Sequence, residues 1–411
     1  MVLNRVWMGM IVISLIMGFS KLIFWQDVFI LQHMTDSLYK AAKDGFELAL
    51  YLTGTITLWM GFMKIGEDGG AIKIMSRLIS PLFSKLFPEV PKDHPAVGSI
   101  MMNFSSNMLG LDNAATPAGL KAMKELQELN PDPKVATNAQ IMFLVLNASG
   151  LTIIPVSILA TRAANGSANP ASVFLPILIT TYFATIGGLI YVSVRQKINL
   201  FNKTILLYVG GMTSIIVGFI LYLQAHPEQI KVISSIVSNS MMFLFIAFFF
   251  FLALKNKVQL FDSFLEGAKE GFNTSISLIP ILVGMLAAVA LFRSSGAFPD
   301  LMSGLKYGLM AVGLKSLEFI DALPVMFMKP FSGGGARALM VDNMKIFGPD
   351  SFVSNLSATF QGSTETTFYV LAVYFGSVKI TNSRYAAGAG ILCDVIGGIV
   401  AILVSYLFFS V

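Results

Sequence analysis

The strongest constraint on this chain is a series of apolar runs, each about as long as a bilayer is thick. Val2 to Phe24 carries only two charges, Arg5 and Lys21, and as a helix it crosses the ~30 Å hydrocarbon layer. Phe46 to Met63, Val173 to Val194, Ile205 to Leu223, Val232 to Leu254 and Tyr385 to Phe409 are comparable. In lipid the backbone must satisfy its own polar groups, so such runs fold as helices rather than open sheet. A signal peptide is the competing reading of the first run. No small-residue cleavage site follows it, and Trp25, Gln26 and Asp27 form an interfacial edge instead.

Composition agrees: 55% of residues are hydrophobic, 12% are charged and the mean hydropathy is +0.73, whereas a soluble domain carries about 25% charged residues. The formal charge of +5 bears on loop orientation rather than on a nucleic-acid partner, and none is expected. Cys393 is the single cysteine, which excludes an internal disulfide and a multi-cysteine metal site. His33, His94 and His226 show no ligand spacing, so no metal is expected. Enzyme chemistry needs a nucleophile with a base nearby, or metal ligands. His94, beside Asp93 and Lys92 in a loop, is the only candidate, so the chain is read as no enzyme.

Polar clusters interrupt the apolar runs. The most pointed is QGSTETTF, between Phe360 and Tyr369, where Gln361, Ser363, Thr364, Glu365, Thr366 and Thr367 sit inside the apolar stretch Phe352 to Phe375. An intramembrane carboxylate is costly and faces the protein interior or a water-filled cavity. This segment is read as the tip of a hairpin dipping into the bilayer. Hydroxyls both donate and accept, so the tip suits a solute of mixed polarity, or a coupling proton or sodium ion. The alternative is that Glu365 pairs with Arg337, Lys329 or Arg384 as structural glue.

Val135 to Ala160 carries a second cluster, Asn147, Ala148, Ser149, Gly150 and Thr152. A hairpin turning there and a kinked helix fit equally, and helix–helix hydrogen bonding is the alternative role for these side chains. From Pro95 to Gly119 the residues Asn103, Ser105, Ser106, Asn107, Asp112, Asn113 and Thr116, with Gly110 and Pro117, indicate a broken helix. Such a break survives at membrane depth only where it lines a cavity or is buried in protein, and it can aim N–H groups at an anionic ligand. Pro324 to Gly335 ends in another break, Ser332-Gly333-Gly334-Gly335, where backbone can approach closely. That glycine run lacks the Lys-Ser/Thr of a phosphate loop, so an ATPase is not expected. Asp112, Arg337 and Asp342 are candidates for a charge-paired gate or a plain interfacial salt bridge. Between these segments, Asp36 to Asp44, Leu120 to Leu129 and Leu260 to Phe272 are amphipathic, Ile276 to Phe292 is apolar, and Ile72 to Phe87 reads as a helix in the membrane interface.

The two halves repeat each other. Ala42-Lys-Asp-Gly-Phe46 matches Ala268-Lys-Glu-Gly-Phe272, 226 positions on, and at the same displacement Met102 meets Met328 and Ser106 meets Ser332. Further along, Asn147-Ala-Ser-Gly150 falls on Gln361-Gly-Ser-Thr364 at 214, and Ile186-Gly-Gly188 on Ile396-Gly-Gly398 at 210. Ordered matches over most of the chain imply an internal repeat: units 1–200 and 232–411, with 201–231 a linker holding an unpaired helix. An odd helix between them turns the second unit over. The basic loops at Arg195 to Lys203 and Lys255 to Lys257 are then cytoplasmic and the loop at His226 outside. Inverted repeats with ligand sites at discontinuous helices are the plan of many secondary transporters.

The longer motifs carry a family resemblance. Phe62 to Glu125, with MNFSSNMLGLDNAATPAGLKAMKE, resembles spore maturation protein A. Phe261 to Phe375, with FLEGAKEGF, MFMKPFSGGGARALM and ATFQGSTETTFYVLAVYFGSV, resembles spore maturation protein B. The chain is therefore similar to a fusion of the two. Both families carry the nucleoside-recognition or Gate domain, which is also assigned to concentrative nucleoside transporters and to ferrous iron transporter B. The resemblance implies an all-α polytopic membrane protein of the bacterial inner membrane, with two Gate-domain repeats and re-entrant or broken helices. It suggests a transporter of a small polar solute, nucleoside-like or an organic anion. By analogy with related carriers it suggests a homo-oligomer. The alternative is a non-transporting scaffold in spore or cell-envelope maturation.

Overall fold

The computed structural model describes the backbone of residues 2–311 and 317–409; the side chains of 2–6, 112, 113, 227, 231, 305 and 309 lie outside the described residues. Helices dominate, and among the described residues the only β pairing is an isolated bridge between Val135 and Asn382. Seven helical stretches of the described residues are long and apolar enough to cross a membrane. The fold is all-α and polytopic. Side chains such as Ile16, Leu207 and Phe243 project outward from these helices and meet the lipid.

The chain opens with α1 (Val2–Phe24), as the apolar run predicts. α2 (Ile30–Asp68) fuses the amphipathic stretch and the span that follows it into one helix of 39 residues. At 1.5 Å per residue this is about 58 Å, nearly twice the hydrocarbon thickness, so a polar overhang continues the span. Gly45 alone does not end it, because a single helical glycine costs only ~1 kcal/mol, and the exposed Lys43–Glu47 pair lies on its surface. α3 (Ala71–Leu86) forms where an interfacial helix is expected. α4 (Pro95–Met108) and α5 (Asp112–Glu128) follow, then α6 (Asn138–Ala148), α7 (Val156–Ala164) and α8 (Phe174–Gln196). The stretch expected to be a linker holds α9 (Lys203–Ile205), a π-helical turn over Leu206–Gly210 and α10 (Gly211–Ala225).

The second half runs α11 (Ile230–Lys255), α12 (Leu260–Ser294), α13 (Ala297–Ala311), α14 (Leu323–Met328), α15 (Gly333–Phe347), α16 (Phe352–Ser363), α17 (Thr367–Ser377) and α18 (Ala386–Phe409). As in α2, an amphipathic stretch and an apolar one merge into α12, and the polar, Gly- and Pro-containing stretch that follows is largely helical in α13.

α2 and α12 form the largest helix–helix contact. A Cβ on Gly45 would meet the Val283 backbone at 3.1 Å, and one on Gly271 would meet Thr57 Cα at 3.0 Å. These contacts are reciprocal: adding 226 to Gly45 and Thr57 gives Gly271 and Val283. The paired positions rise on one helix as they fall on the other, so the two helices run antiparallel. α8 and α18 pack closely as well, with Gly187 against Ile396 and Gly397 near Ala184.

Two expectations about the interrupted segments exchange places. Pro95 to Gly119 is a hairpin: α4 and α5 pack along each other, and Asn103 Nδ2 donates to Ala115 O at 2.8 Å. α14 and α15 form its counterpart. The segment around Glu365 is not a hairpin tip. α16 and α17 follow one another along α18, with Phe352 against Tyr406, Thr364 beside Gly397 and Thr367 beside Gly390. They form one crossing, interrupted at Thr364–Thr366. α6 and α7 form another, with Asn138 O bonded to Gln196 at one end and Ile158 near Ile177 toward the other, where both pack on Gly362. Reversal and interruption need the same local residues, small and polar ones that leave backbone groups free, so only packing distinguishes them. Thr137 and Ser351, 214 positions apart, cap the two interrupted helices, each accepting a backbone N–H.

Candidate functional site

The two interruptions meet. Glu365 N donates to Ala148 O at 2.9 Å. Gly150, at φ +62°, lies so close that a Cβ there would come within 2.7 Å of Glu365 N. Each hairpin tip reaches the interruption of its own half. Ile153 N donates to Met108 O at 2.7 Å, and Phe368 N to Pro330 O at 3.0 Å. Asn107 Nδ2 donates to Asn147 Oδ1 at 2.8 Å, and Gln361 Nε2 donates to Gly333 O at 3.1 Å. The second pair stands in the positions of the first at displacements of 226 and 214.

Most of the polar residues singled out in the sequence converge here. Asn103 is fully buried and also donates to the Tyr374 hydroxyl at 3.3 Å; Tyr374 in turn approaches Asn147 Oδ1 at 3.4 Å. Ser149 accepts from Thr185 at 3.0 Å, and Thr152 donates to Gly150 O. Ser332 caps α15, accepting from Gly335 N at 2.9 Å. A Cβ on Gly333 would lie 2.9 Å from Thr366 Oγ1, and one on Gly334 would meet Ile281. Ser363 donates to Phe360 O. Asn103 Oδ1, Ser106 Oγ and Gln361 Oε1 are buried without a hydrogen-bond partner among the described residues. Buried polar atoms of this kind normally have one.

Glu365 is exposed at the junction. Arg384, one of its proposed partners, donates instead to Ala136 O and Asn138 Oδ1. The gate expected of Asp112, Arg337 and Asp342 takes another form. Asp342 pairs with Arg293 of α12, whose guanidinium lies 4.1 Å from the Phe298 ring centroid. Arg337 and Asp342 are five positions apart on α15 and so point in different directions. The side chains of Asp112 and Asn113 lie outside the described residues. A cavity of about 190 Å³ lies between α3 and α4, lined by Phe83, Phe87, Lys92 and Ile100 among others, away from the interruptions.

Three residues of the candidate site escape a reading of local composition. Tyr374 joins the asparagines of the first half from the second, which no spacing reveals. Thr367 belongs to the polar cluster, yet nothing in its neighbours along the chain gives it a role. Asp394 lies in the run from Tyr385 to Phe409, which reads as a plain last span, and is 7% exposed. It accepts from Thr364 at 2.6 Å and Thr367 at 2.7 Å. The rule that draws attention to Glu365 applies equally to this carboxylate.

Comparison with known proteins agrees with this architecture. The family model described as nucleoside recognition, the Gate domain, matches residues 49–165. Spore maturation protein A of Bacillus subtilis (strain 168) is 36% identical over 197 residues, covering 47% of this chain and 97% of the relative. Spore maturation protein B of the same organism is 42% identical over 154 residues, covering 38% of this chain and 84% of the relative. The chain belongs to the spore maturation protein A and B family. Two relatives, each matched over most of its own length and neither covering half of this chain, are the pattern of a fused pair. No solved structure matches the chain.

Proposed function

We propose that this membrane protein is a carrier of a small polar solute, nucleoside-like or an organic anion, bound where the two interrupted helices meet between the hairpin tips. The contact of Glu365 N with Ala148 O carries the reading. It joins backbone from both halves beside an exposed carboxylate and three buried, unpartnered polar atoms. Discontinuous helices supply such atoms to solutes in other transporters. The solute would take the acceptors Gln361 Oε1 and Asn103 Oδ1 and the hydroxyl of Ser106. Glu365 would bind its donors, or a coupling proton or sodium ion.

The units 1–200 and 232–411 are inverted repeats in this reading, with the linker helix between them. The antiparallel, reciprocal packing of α2 on α12 supports it. The reading places the protein in the bacterial cytoplasmic membrane, acting as a carrier and not as an enzyme, with assembly into a homo-oligomer compatible. A scaffold in spore or envelope maturation is the second reading. It is favoured by the names of the relatives.

Uptake by proteoliposomes against a panel of nucleosides, organic acids and lipid-linked sugars separates the two. A carrier accumulates a member of the panel, and Glu365→Gln abolishes that accumulation while the protein folds normally. Wild-type uptake by the variant removes Glu365 from the mechanism. Absence of any uptake by the native chain favours the scaffold.

A further inference from the structure

The Asp394 carboxylate stands about a third of the way along α18, and both its oxygens accept threonine hydroxyls, Thr364 at 2.6 Å and Thr367 at 2.7 Å. These threonines bracket the interruption: Thr364 ends α16 with extended backbone, and Thr367 begins α17. The carboxylate reaches them because α18 is hollowed beside it. Gly390 and Gly397, four before and three after Asp394, share its helix face. A Cβ on Gly390 would stand 2.5 Å from the Thr367 methyl, and one on Gly397 3.1 Å from the Thr364 methyl. A charged group is thus fitted to a gap in the chain, and the next residue after Thr364 is Glu365, bonded to the other interruption.

We propose that Asp394 is a proton-binding residue whose charge state holds or releases the interruption between α16 and α17. This rests on the carrier reading for its purpose but not for its test. As a carboxylate, Asp394 accepts a hydrogen bond from each threonine and fixes the chain at Thr364 and Thr367. When a proton adds to Oδ2, that oxygen carries its own hydrogen, and Thr367 must turn its O–H toward another acceptor. Thr364 keeps a bond to Oδ1, but a neutral one, about half as strong as the charge-assisted bond it replaces. Thr364 and Glu365 are then held more weakly against Ala148. The charged and titratable groups facing Asp394 are Lys329 at the end of α14, Glu365 in the interruption and Cys393 on α18. The ligand is the proton itself, taken from and returned to water.

Cys393 reports on this movement without being engineered. It is fully buried, with Gly188 of α8 against its sulfur. The experiment uses the full-length chain in vesicles of phosphatidylethanolamine and phosphatidylglycerol. It follows infrared absorption of protonated carboxyl groups across pH, together with maleimide labelling of Cys393, expressed at each pH relative to a free thiol because the thiolate is the reacting form. The expected result is a carboxyl band that appears on acidification, with a severalfold faster labelling at the same midpoint. Asp394→Asn loses the band and labels at one rate at every pH. Glu365→Gln keeps the band. Thr367→Val keeps the carboxylate, fills the same space beside Gly390 and displaces the midpoint, so it decides the matter if Asp394→Asn does not fold. A band that persists in Asp394→Asn, or labelling independent of pH in the native chain, overturns the proposal. Uptake with no Asp394 band leaves the carrier standing and this inference fallen; the band without uptake does the reverse.

Discussion

Gly150→Ala tests the meeting of the two interruptions directly. The methyl group would stand 2.7 Å from Glu365 N and 2.9 Å from the Thr364 carbonyl carbon, where ordinary contact begins at 3.4 Å. These are backbone atoms and cannot swing aside, so the interruptions must part by about 0.7 Å. That stretches the 2.9 Å bond from Glu365 N to Ala148 O to about 3.6 Å, beyond hydrogen-bond range. Left-handed backbone costs a non-glycine residue ~1–2 kcal/mol, and a buried hydrogen bond lost without replacement adds ~1–3 kcal/mol. The expected loss of stability is about 2–5 kcal/mol. Gly166 is the control. It has φ +79° but nothing within 4 Å of the place a methyl would occupy, so Gly166→Ala incurs only the backbone cost of ~1–2 kcal/mol. Unfolding of both variants in bicelles, followed by tryptophan fluorescence, measures the difference. If Gly150→Ala is no more destabilising than Gly166→Ala, the two interruptions do not touch at this point and the candidate site dissolves.

Two further expectations follow from the packing. Arg162 is fully buried and ties α7 to the loop before α16 through Pro349 O and Asp350, and to the segment before α8 through Ser167, Pro170 O and Ser172. Arg162→Met strands these acceptors. It lowers the unfolding free energy by about 2–4 kcal/mol, discounted because Asp350 is partly in water; a change below ~0.5 kcal/mol refutes the latch. Cysteines replacing His226 and Lys197 in a Cys393→Ser background are labelled by an impermeant maleimide from opposite sides of the membrane. Labelling from one side only would defeat the inverted arrangement.

The residues by themselves determined the class of fold, because apolar runs of bilayer length have few ways to satisfy their backbone. α1 is read to the residue, α3 and α18 within one or two. Local polarity also marks Asn147, Gln361 and Glu365, since polar groups stand out in lipid-compatible sequence. It misses Asp394, because a long apolar run reads as uniform. Which interruption reverses the chain and which lets it continue was decided only by tertiary structure. The α4–α5 pair folds back on itself, while α16 and α17 lie in succession along α18, yet both sequences are equally small and polar. The same holds for partners: Asp342 meets Arg293, and Tyr374 joins Asn103 to Asn147, across separations no periodicity encodes. Hydropathy is a property of each segment in its solvent, whereas these contacts depend on how the segments pack against one another.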